Sequence, residues 1–205
     1  PAVLEVCKEL ARNGLDVTFL PVDRHGQLDL ADFIRALRPD TLLVSVMHAN
    51  NETGVIFPLA ELARIAKETN PGILFHTDAT QSVGKLPIDL TTEYAQVDLL
   101  SFSGHKLHAP KGIGALFIKR GTPLRPYLLG GHQENGRRGG TENVPYIAGL
   151  AAACRLAGEH LADEGKVGAL RDRLEERILA AVPFVEVNGQ GAPRHLARVR
   201  QGRVG

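Results

Sequence analysis

The chain of 205 residues is long enough for one α/β domain with a substantial core, or for one domain and the beginning of a second. Its formal net charge of +1, with 43% hydrophobic and 23% charged residues, offers no strong field to attract nucleic acid or an anionic membrane. The absence of Trp and the 5% aromatic content disfavour single-strand binding by base stacking. No apolar run approaches the ~20 residues that a membrane helix needs.

The two cysteines and the two ends of the chain give further expectations. Cys7 and Cys154 form neither a CxxC pair nor a zinc-ligand spacing, so we expect reduced, buried thiols of a cytoplasmic protein. The chain begins at Pro1, without Met, and a helical pattern starts at once, which suggests a piece of a longer protein. The arginine-rich end, Pro193–Gly205, is interpreted as a solvated or truncated tail rather than a nucleic-acid arm.

Helical and extended patterns alternate along the first half of the chain. Apolar spacing and stop signals predict helices at Val3–Leu10, Leu28–Leu37 and Pro58–Asn70. Strands are predicted at Val17–Val22, Thr41–Met47, Ile73–Thr77, Val97–Ser101 and Gly114–Ile118. This alternation favours βαβ units and a largely parallel sheet.

The second half is predicted to be mainly helical. An irregular stretch rich in Gly, Arg and His, Gly121–Gly140, precedes two helices at Asn143–Leu161 and Lys166–Ala181. A strand is predicted at Phe184–Val187. In the second helix an apolar stripe is expected to be buried, formed by Val167, Leu170, Leu174, Ile178 and Ala181.

Three of the predicted strands are followed by polar clusters. The clusters are His48–Gly54, Asp78–Ser82 and Phe102–Lys106. In an open α/β sheet, ligands bind beyond the carboxyl ends of the strands. Because parallel strands end at the same edge, we expect the three clusters to lie close together.

One cofactor, pyridoxal 5′-phosphate, accounts for all three clusters. It needs a lysine for a Schiff base, an acid for its ring nitrogen, and donors for its phenolic oxygen and phosphate. Lys106 offers the amine and Asp78 the acid. The donors are Asn51 and Gln81 for the phenolic oxygen, and Ser103 and His105 for the phosphate. Each residue alone is more often a surface charge, a helix cap or a structural histidine, but a single cofactor uses all of them.

The histidines raise the alternative of a zinc or iron site. Four histidines come into question: His76, His105, His108 and His132. Their positions in the chain lack the i, i+4 or CxxC-type spacing that makes a metal site specific. We therefore expect no metal. No Walker A motif or dinucleotide fingerprint is present either.

Several segments of the chain resemble one enzyme family. Ser101–Lys106 (SFSGHK) and Pro110–Gly114 (PKGIG) resemble the cofactor-lysine motif of class-V, fold-type I pyridoxal-phosphate enzymes, in the form typical of cysteine desulfurases. Further resemblances follow in the family's order at Met47–Gly54 (MHANNETG), His76–Leu90 (HTDATQSVGKLPIDL) and Gly130–Asn143 (GGHQENGRRGGTEN). The resemblance extends to about residue 188.

The resemblance implies an α/β fold, with a mostly parallel sheet sandwiched by helices and the start of a small C-terminal domain. The implied division is a cofactor-binding large domain over 1–142, helices leading into the small domain over 143–188, and an irregular tail over 189–205. The family's ring-stacking histidine and a small phosphate loop are expected before Pro1. Its cysteine-bearing loop and substrate-clamping arginine are expected after Gly205, so we expect this chain alone to have little activity.

The resemblance also implies roles for single residues. Lys106 is the catalytic, Schiff-base lysine, and Asp78 holds the ring nitrogen. Asn51 contacts a cofactor oxygen or the substrate carboxylate. The remaining cofactor contacts are Gln81 to the phenolic oxygen and Ser103 and His105 to the phosphate. Thr141 would reach the phosphate of the neighbouring subunit's cofactor in a homodimer; judged without the family, it is equally well a helix cap next to Asn143.

By resemblance, the activity is conversion of L-cysteine to L-alanine. The sulfur passes as a persulfide to a cysteine of the enzyme and then to a sulfur acceptor or iron–sulfur scaffold protein. A selenocysteine lyase or another class-V aminotransferase on the same scaffold remains an alternative. A non-catalytic piece that only binds partners is a second alternative.

Overall fold

Five α-helices and four strands make up residues 2–194, the part of the chain described by the computed structural model. The helices are α1 (Ala2–Arg12), α2 (Leu30–Ala36), α3 (Leu59–Thr69), α4 (Val144–Glu159) and α5 (Glu164–Ala181). The strands are β1 (Leu43–Met47), β2 (Leu74–Asp78), β3 (Leu99–Ser103) and β4 (Gly114–Ile118). Short 3₁₀ turns lie at Gly104–Leu107, Glu134–Gly136 and Leu161–Asp163.

The strands form one open sheet in the order β1-β2-β3-β4. The first three strands are parallel, and β4 returns antiparallel to β3. Met47 lies opposite Asp78, which in turn lies opposite Ser101, so the three parallel strands end at the same edge. The predicted α/β fold with a mostly parallel sheet flanked by helices is confirmed.

Helix α3 supplies the apolar cover of one face of the sheet. Its buried residues repeat at helical spacing and are Leu59, Leu62, Ala63 and Ala66. They belong to one cluster with Val44 of β1 and Phe75 of β2. Full burial of a Leu or Phe side chain contributes about 1.5–3 kcal/mol relative to exposure. The alternation along β2 buries Phe75 and Thr77 on this face and turns His76 and Asp78 to the other.

A largely buried ion pair ties α3 to the sheet. Lys67 Nζ lies 2.5 Å from Asp98 Oδ2 and donates to the carbonyl of Ile73 at 2.6 Å. The same carboxylate oxygen accepts the amide of Phe75 at 2.8 Å. The end of the helix is thereby fixed against the beginnings of β2 and β3.

A row of hydrogen bonds crosses the other face of the sheet. Ser45 Oγ lies 2.8 Å from His76 Nδ1, and His76 Nε2 lies 3.0 Å from Ser101 Oγ. The row joins the three parallel strands. Burial lowers the pKa of His76 from its ordinary value, and the carboxylate of Asp78 opposes that shift. The imidazole is therefore held neutral near pH 7.

Two predicted strands are wrong. Residues Val17–Val22 and Phe184–Val187 form no ladder with any described strand, and Phe184 is 88% exposed with φ 60°. Extended propensity makes a strand only where a neighbour can pair with it. In addition, β3 ends two residues later than predicted, so Ser103 is its last residue.

The buried stripe predicted for α5 is also wrong. Leu170 is 64% exposed and Leu174 53%, because no described element covers that side of the helix. The buried residue of α5 is Glu175. Of the remaining stripe positions, Val167 and Ala181 are exposed and Ile178 is half-buried.

The remaining expectations concern the cysteines and the tail. Cys7 and Cys154 are free thiols, half-buried rather than buried. Of the predicted tail, residues 195–205, which include three of its arginines, lie outside the described residues. Its fourth arginine, Arg194, forms an ion pair with Glu175. Within residues 2–194 no helix combines the length and apolarity needed to cross a membrane.

Substitution Asp98→Ala is expected to destabilise the fold by about 3–5 kcal/mol, because Lys67 and the Phe75 amide would lose their buried acceptor. The free energy of unfolding from urea titration measures the loss. Glu68→Ala, which removes the exposed Arg64–Glu68 pair of the same helix, is the matched control and should cost about 1 kcal/mol or less. Equal losses in the two variants would contradict the importance of the buried pair.

Stability is expected to fall with pH below the ordinary histidine pKa of about 6.5 because of His76. The folded protein binds this proton less readily than the unfolded chain does. The contribution is therefore complete above that pH and is lost as pH falls towards the lowered pKa of His76. Urea unfolding at a series of pH values should show a shallower acid decline for His76→Gln. The exposed His132→Gln should keep the wild-type decline, and identical curves for all three proteins would refute the assignment.

Candidate functional site

The ends of β2 and β3 bring an acid and a hydroxyl onto one face of the sheet. Asp78 closes β2, and Ser103 closes β3 two residues beyond the position opposite Asp78. Side chains two residues apart share a face, so Ser103 lies on the same side as Ser101. Neighbouring strands are roughly 5 Å apart, and two residues span about 7 Å along a strand. The two side chains thus flank a region about the width of a small aromatic ring.

The turn that carries Lys106 follows β3 directly and is closely packed. A Cβ on Gly104 would lie 2.9 Å from the carbonyl oxygen of Ile113 and 3.0 Å from Cδ1 of Leu150 on α4. The turn ends at His108, whose φ of 65° is left-handed. Leu107 is buried beneath it. This packing fixes the backbone from which the Lys106 side chain extends.

The amine of Lys106 has no hydrogen bond or ion pair with any residue in the range 2–194. The side chain is half-buried, and its charge acts on a second lysine, Lys85. Burial lowers the pKa of Lys85, the carboxylate of Glu164 opposes that shift, and the positive charge of Lys106 adds to it. Lysine without a carboxylate partner is available to react with a carbonyl group.

Asp78 is held by its own turn and keeps one oxygen available. Its Oδ1 accepts the amide of Thr80 at 2.9 Å, and its carbonyl oxygen accepts the amide of His48 at 2.9 Å. Within residues 2–194 the other carboxylate oxygen, Oδ2, accepts no hydrogen bond. A fixed carboxylate with a vacant acceptor suits a cationic N–H of a ligand.

Gln81 lies in the turn after β2, and this turn packs against the turn of Lys106. Ser82 is fully buried and donates its hydroxyl to the carbonyl of Ala79 at 3.2 Å. Gly84 has φ +73°, and a Cβ there would lie 2.6 Å from Leu107 and 2.8 Å from the Cβ of Ala157 on α4. Only glycine fits such a conformation and approach. The half-buried Gln81 is thereby placed beside the Lys106 turn.

Asn51 lies at the tip of the turn after β1, residues 49–56. The preceding residue, Asn50, shapes that turn: its Oδ1 accepts the amides of Glu52 at 2.9 Å and Thr53 at 3.0 Å. Its own amide donates to the carbonyl of Val55 at 2.9 Å. Asn51 itself is exposed and has no side-chain hydrogen bond to another described residue.

The remaining residues predicted to contact the cofactor are Ser103, His105 and Thr141. Ser103 Oγ lies 2.7 Å from His105 Nδ1, so the hydroxyl and the imidazole form one polar unit beside Lys106. Thr141 lies exposed in the loop ahead of α4, and no hydrogen bond joins it to the other predicted residues. The helix cap considered for it belongs to Asn143, which accepts the amide of Tyr146 at 3.3 Å.

The structure adds polar groups that the sequence analysis did not assign to this site. His76 and Ser101 form the hydrogen-bonded row behind Asp78, and strand alternation from Asp78 could have identified His76.

Buried His48 stacks edge-on against Tyr94 with ring centroids 5.3 Å apart, and burial raises the pKa of Tyr94 to about 12. Within the described range, no three His, Cys, Asp or Glu side chains are grouped to hold a metal ion.

Comparison with known proteins gives close relatives over most of the chain. A cysteine desulfurase of Trichormus variabilis (strain ATCC 29413 / PCC 7937) is 54% identical over 193 residues, which are 94% of this chain and 48% of that protein. Crystallised DndA from Streptomyces lividans superposes with a TM-score of 0.83 at 42% identity, covering 93% of this chain and 54% of that one. SspA in complex with cysteine superposes with a TM-score of 0.70 at 42% identity, covering 75% and 44%.

These matches cover between 75% and 94% of this chain but only part of each relative. The chain spans about half the length of the curated relatives it matches. The family model of class-V aminotransferases matches residues 1–200. With the mostly parallel sheet and the lysine-bearing turn described above, this match shows that the chain belongs to the class-V aminotransferase family.

Proposed function

We propose that this chain carries the pyridoxal-phosphate site of a cysteine desulfurase, which converts L-cysteine to L-alanine and passes the sulfur on as a persulfide. The observation that carries the proposal is that Asp78 closes β2 while Lys106 lies in the turn directly after the adjacent parallel strand β3. The substrate class is supported by relatives named cysteine desulfurase and by the related SspA in complex with cysteine.

The residues at this edge fit the cofactor by their chemistry. Lys106 provides an amine without a carboxylate partner, and Asp78 an acceptor oxygen without a donor. The Ser103–His105 unit provides donors suited to a phosphate. Gln81 and Asn51 carry amides that make no hydrogen bond with other described residues. Together these groups match the amine, acid and donors that pyridoxal phosphate requires.

When bound, pyridoxal phosphate supplies an electron sink for the electrons of the bond broken at the amino-acid Cα. Asp78 would hold the proton on the ring nitrogen, which preserves that sink. His76, kept neutral by burial, adds no positive charge beside the Asp78 carboxylate. The hydrogen-bonded row thus leaves the Asp78 carboxylate without a cationic partner on the neighbouring strands.

Lys106 would hold the cofactor and then move the proton at the substrate Cα. Such a base must lose its own proton near the working pH. The Lys106 side chain is half-buried and forms no ion pair with a described carboxylate. The close packing at Gly104 and Gly84 fixes the backbone from which the Lys106 side chain reaches the substrate.

Neither described cysteine suits the step that accepts the sulfur. Cys154 packs against the cluster of Leu107, Leu150 and Ala153, and burial raises the pKa of its thiol. A thiol that resists ionisation is a poor nucleophile. Cys7 lies on α1, outside the three polar clusters. We therefore assign the persulfide to another cysteine of the enzyme, which passes the sulfur to an acceptor or iron–sulfur scaffold protein.

The proposal extends to the assembly and the domains. Thr141 lies exposed in the loop ahead of α4, as a residue that contacts a second subunit's cofactor would. We therefore propose a homodimer with shared sites. The large domain would comprise residues 1–142, with the helices over 143–188 leading into the small domain and 189–205 as the tail. The free thiols agree with a reducing, cytoplasmic location.

Borohydride reduction of the intact protein with pyridoxal phosphate is expected to label Lys106 covalently. Mass spectrometry of the peptide that contains Lys106 should show the added cofactor. The Lys106→Ala protein should carry no label at this peptide. It should also lose, on dialysis, the absorbance near the violet edge of the visible range that the lysine-bound cofactor gives. Lys111→Ala changes an exposed lysine five residues away and should keep both signals. Label on the Lys106→Ala protein, or absorbance that survives dialysis, would remove Lys106 from this role.

The full-length enzyme is expected to convert L-cysteine to alanine and persulfide sulfur in equal amounts. A thiol reductant then releases that sulfur as sulfide. Chromatography of the amino acids and a sulfide assay in the presence of a thiol reductant measure both products. Formation of a keto acid would indicate an aminotransferase. Turnover of L-selenocysteine but not of L-cysteine would indicate a selenocysteine lyase, and no turnover despite bound cofactor would favour a non-catalytic protein.

A further inference from the structure

The end of the described chain docks onto the 49–56 turn. The amide of Ile56 donates to the carbonyl of Pro193 at 2.8 Å, and Val55 forms an antiparallel bridge with Arg194. Val55 is 1% exposed. The two residues Pro193 and Arg194 therefore act as a short extra strand along one side of the turn.

Contact at Gly189 makes this docking close. Gly189 has φ +76°, and a Cβ at this position would lie 2.8 Å from Cγ2 of Val55 and 3.4 Å from Cβ of Thr53. The approach admits no side chain, and the left-handed conformation favours glycine as well. Residues 189–194 thus follow the surface of the turn closely.

Arg194 is anchored by a largely buried ion pair to α5. Its guanidinium donates to both carboxylate oxygens of Glu175 at 2.9 Å each, and the two side chains are only 13% and 9% exposed. One helical turn earlier, Arg171 donates to the carbonyl of Arg194 at 3.3 Å. Two planar groups joined by two parallel hydrogen bonds have little freedom to rotate. The backbone of Arg194 is therefore fixed relative to α5.

The hydrogen bonds of the turn connect this anchor to Asn51. Ala49 bridges to Ile56, and the amide of Asn50 donates to the carbonyl of Val55 at 2.9 Å. The residues that pair with the anchored segment, Val55 and Ile56, therefore also pair with the residues just before Asn51. These hydrogen bonds form a continuous path from the outer side of the turn to the residue before Asn51.

We propose that Arg194, through its ion pair with Glu175, is a positioning residue for Asn51, an inference that rests on the proposed function of the site. Arg194 touches no reacting atom. It fixes the outer side of the 49–56 turn, and the turn places the Asn51 amide at the edge where Asp78 and Lys106 lie. Helix α5 thereby contributes to a site formed by the ends of the parallel strands.

A double-mutant cycle on the intact protein tests the positioning role. Apo-protein is titrated with pyridoxal phosphate, followed by absorbance, for the wild type, Arg194→Ala, Asn51→Ala and the double variant. We expect Arg194→Ala to weaken binding roughly tenfold in the wild-type background and by less than about twofold when Asn51 is already absent. Arg194→Lys, which keeps the charge but loses the planar fork, should restore part of the affinity. A merely structural role would weaken binding equally in both backgrounds.

Hydrogen exchange measured by mass spectrometry tests the anchor without any cofactor. Arg194→Ala and the near-isosteric Glu175→Gln should each accelerate exchange across residues 49–56 by on the order of tenfold, with the core strands unchanged. Glu175→Gln also serves if Arg194→Ala fails to fold. Arg173→Ala, an exposed arginine on the same helix, is the matched control and should leave exchange unchanged.

The outcomes separate this proposal from the function on which it rests. Unaltered exchange in the turn, or equal effects of Arg194→Ala with and without Asn51, would overturn the positioning role alone. Failure of the wild-type protein to bind pyridoxal phosphate would overturn the proposed function and this role with it.

Discussion

The parallel register of β1, β2 and β3 is the constraint on which the candidate site depends. Met47, Asp78 and Ser101 lie in one row, so the residues that follow these strands emerge at a single edge. A slip of one residue would turn the Asp78 carboxylate to the opposite face, among the apolar side chains that pack against α3. The hydrogen bonds through His76 join the three strands on the site's own face and so favour this register.

Beyond the ends of the strands, close packing rather than strand pairing fixes the turns that carry the site residues. The turn after β2 and the turn that carries Lys106 meet at Gly84, and the second turn rests on α4 at Gly104. Neither position leaves room for a side chain. The Lys106 amine therefore extends from a rigid base while remaining without an ion-pair partner among the described residues. Rigid support beneath an unpaired functional group is what a catalytic lysine needs.

Two ion pairs with limited solvent exposure connect the helices to this framework. Lys67 and Asp98 fix α3 at the starts of the strands, whereas Arg194 and Glu175 fix α5 beside the turn at the end of β1. Both pairs also involve backbone groups, through the Phe75 amide and the Arg194 carbonyl. A charge that lost its partner at either place would remain poorly solvated, so each pair selects one geometry of the elements it joins.

The sequence by itself determined the five helices, the apolar strands and the three polar clusters at their ends, because these features depend on local periodicity, caps and turn residues. It also pointed to Asp78 and Lys106 as neighbours, since parallel strands must end together. Only the tertiary structure decided that Val17–Val22 forms no strand, that β4 runs antiparallel, and that Glu175 rather than the apolar stripe of α5 is buried. Strand pairing and helix burial depend on partners distant in the chain, and no local pattern encodes which partner is there.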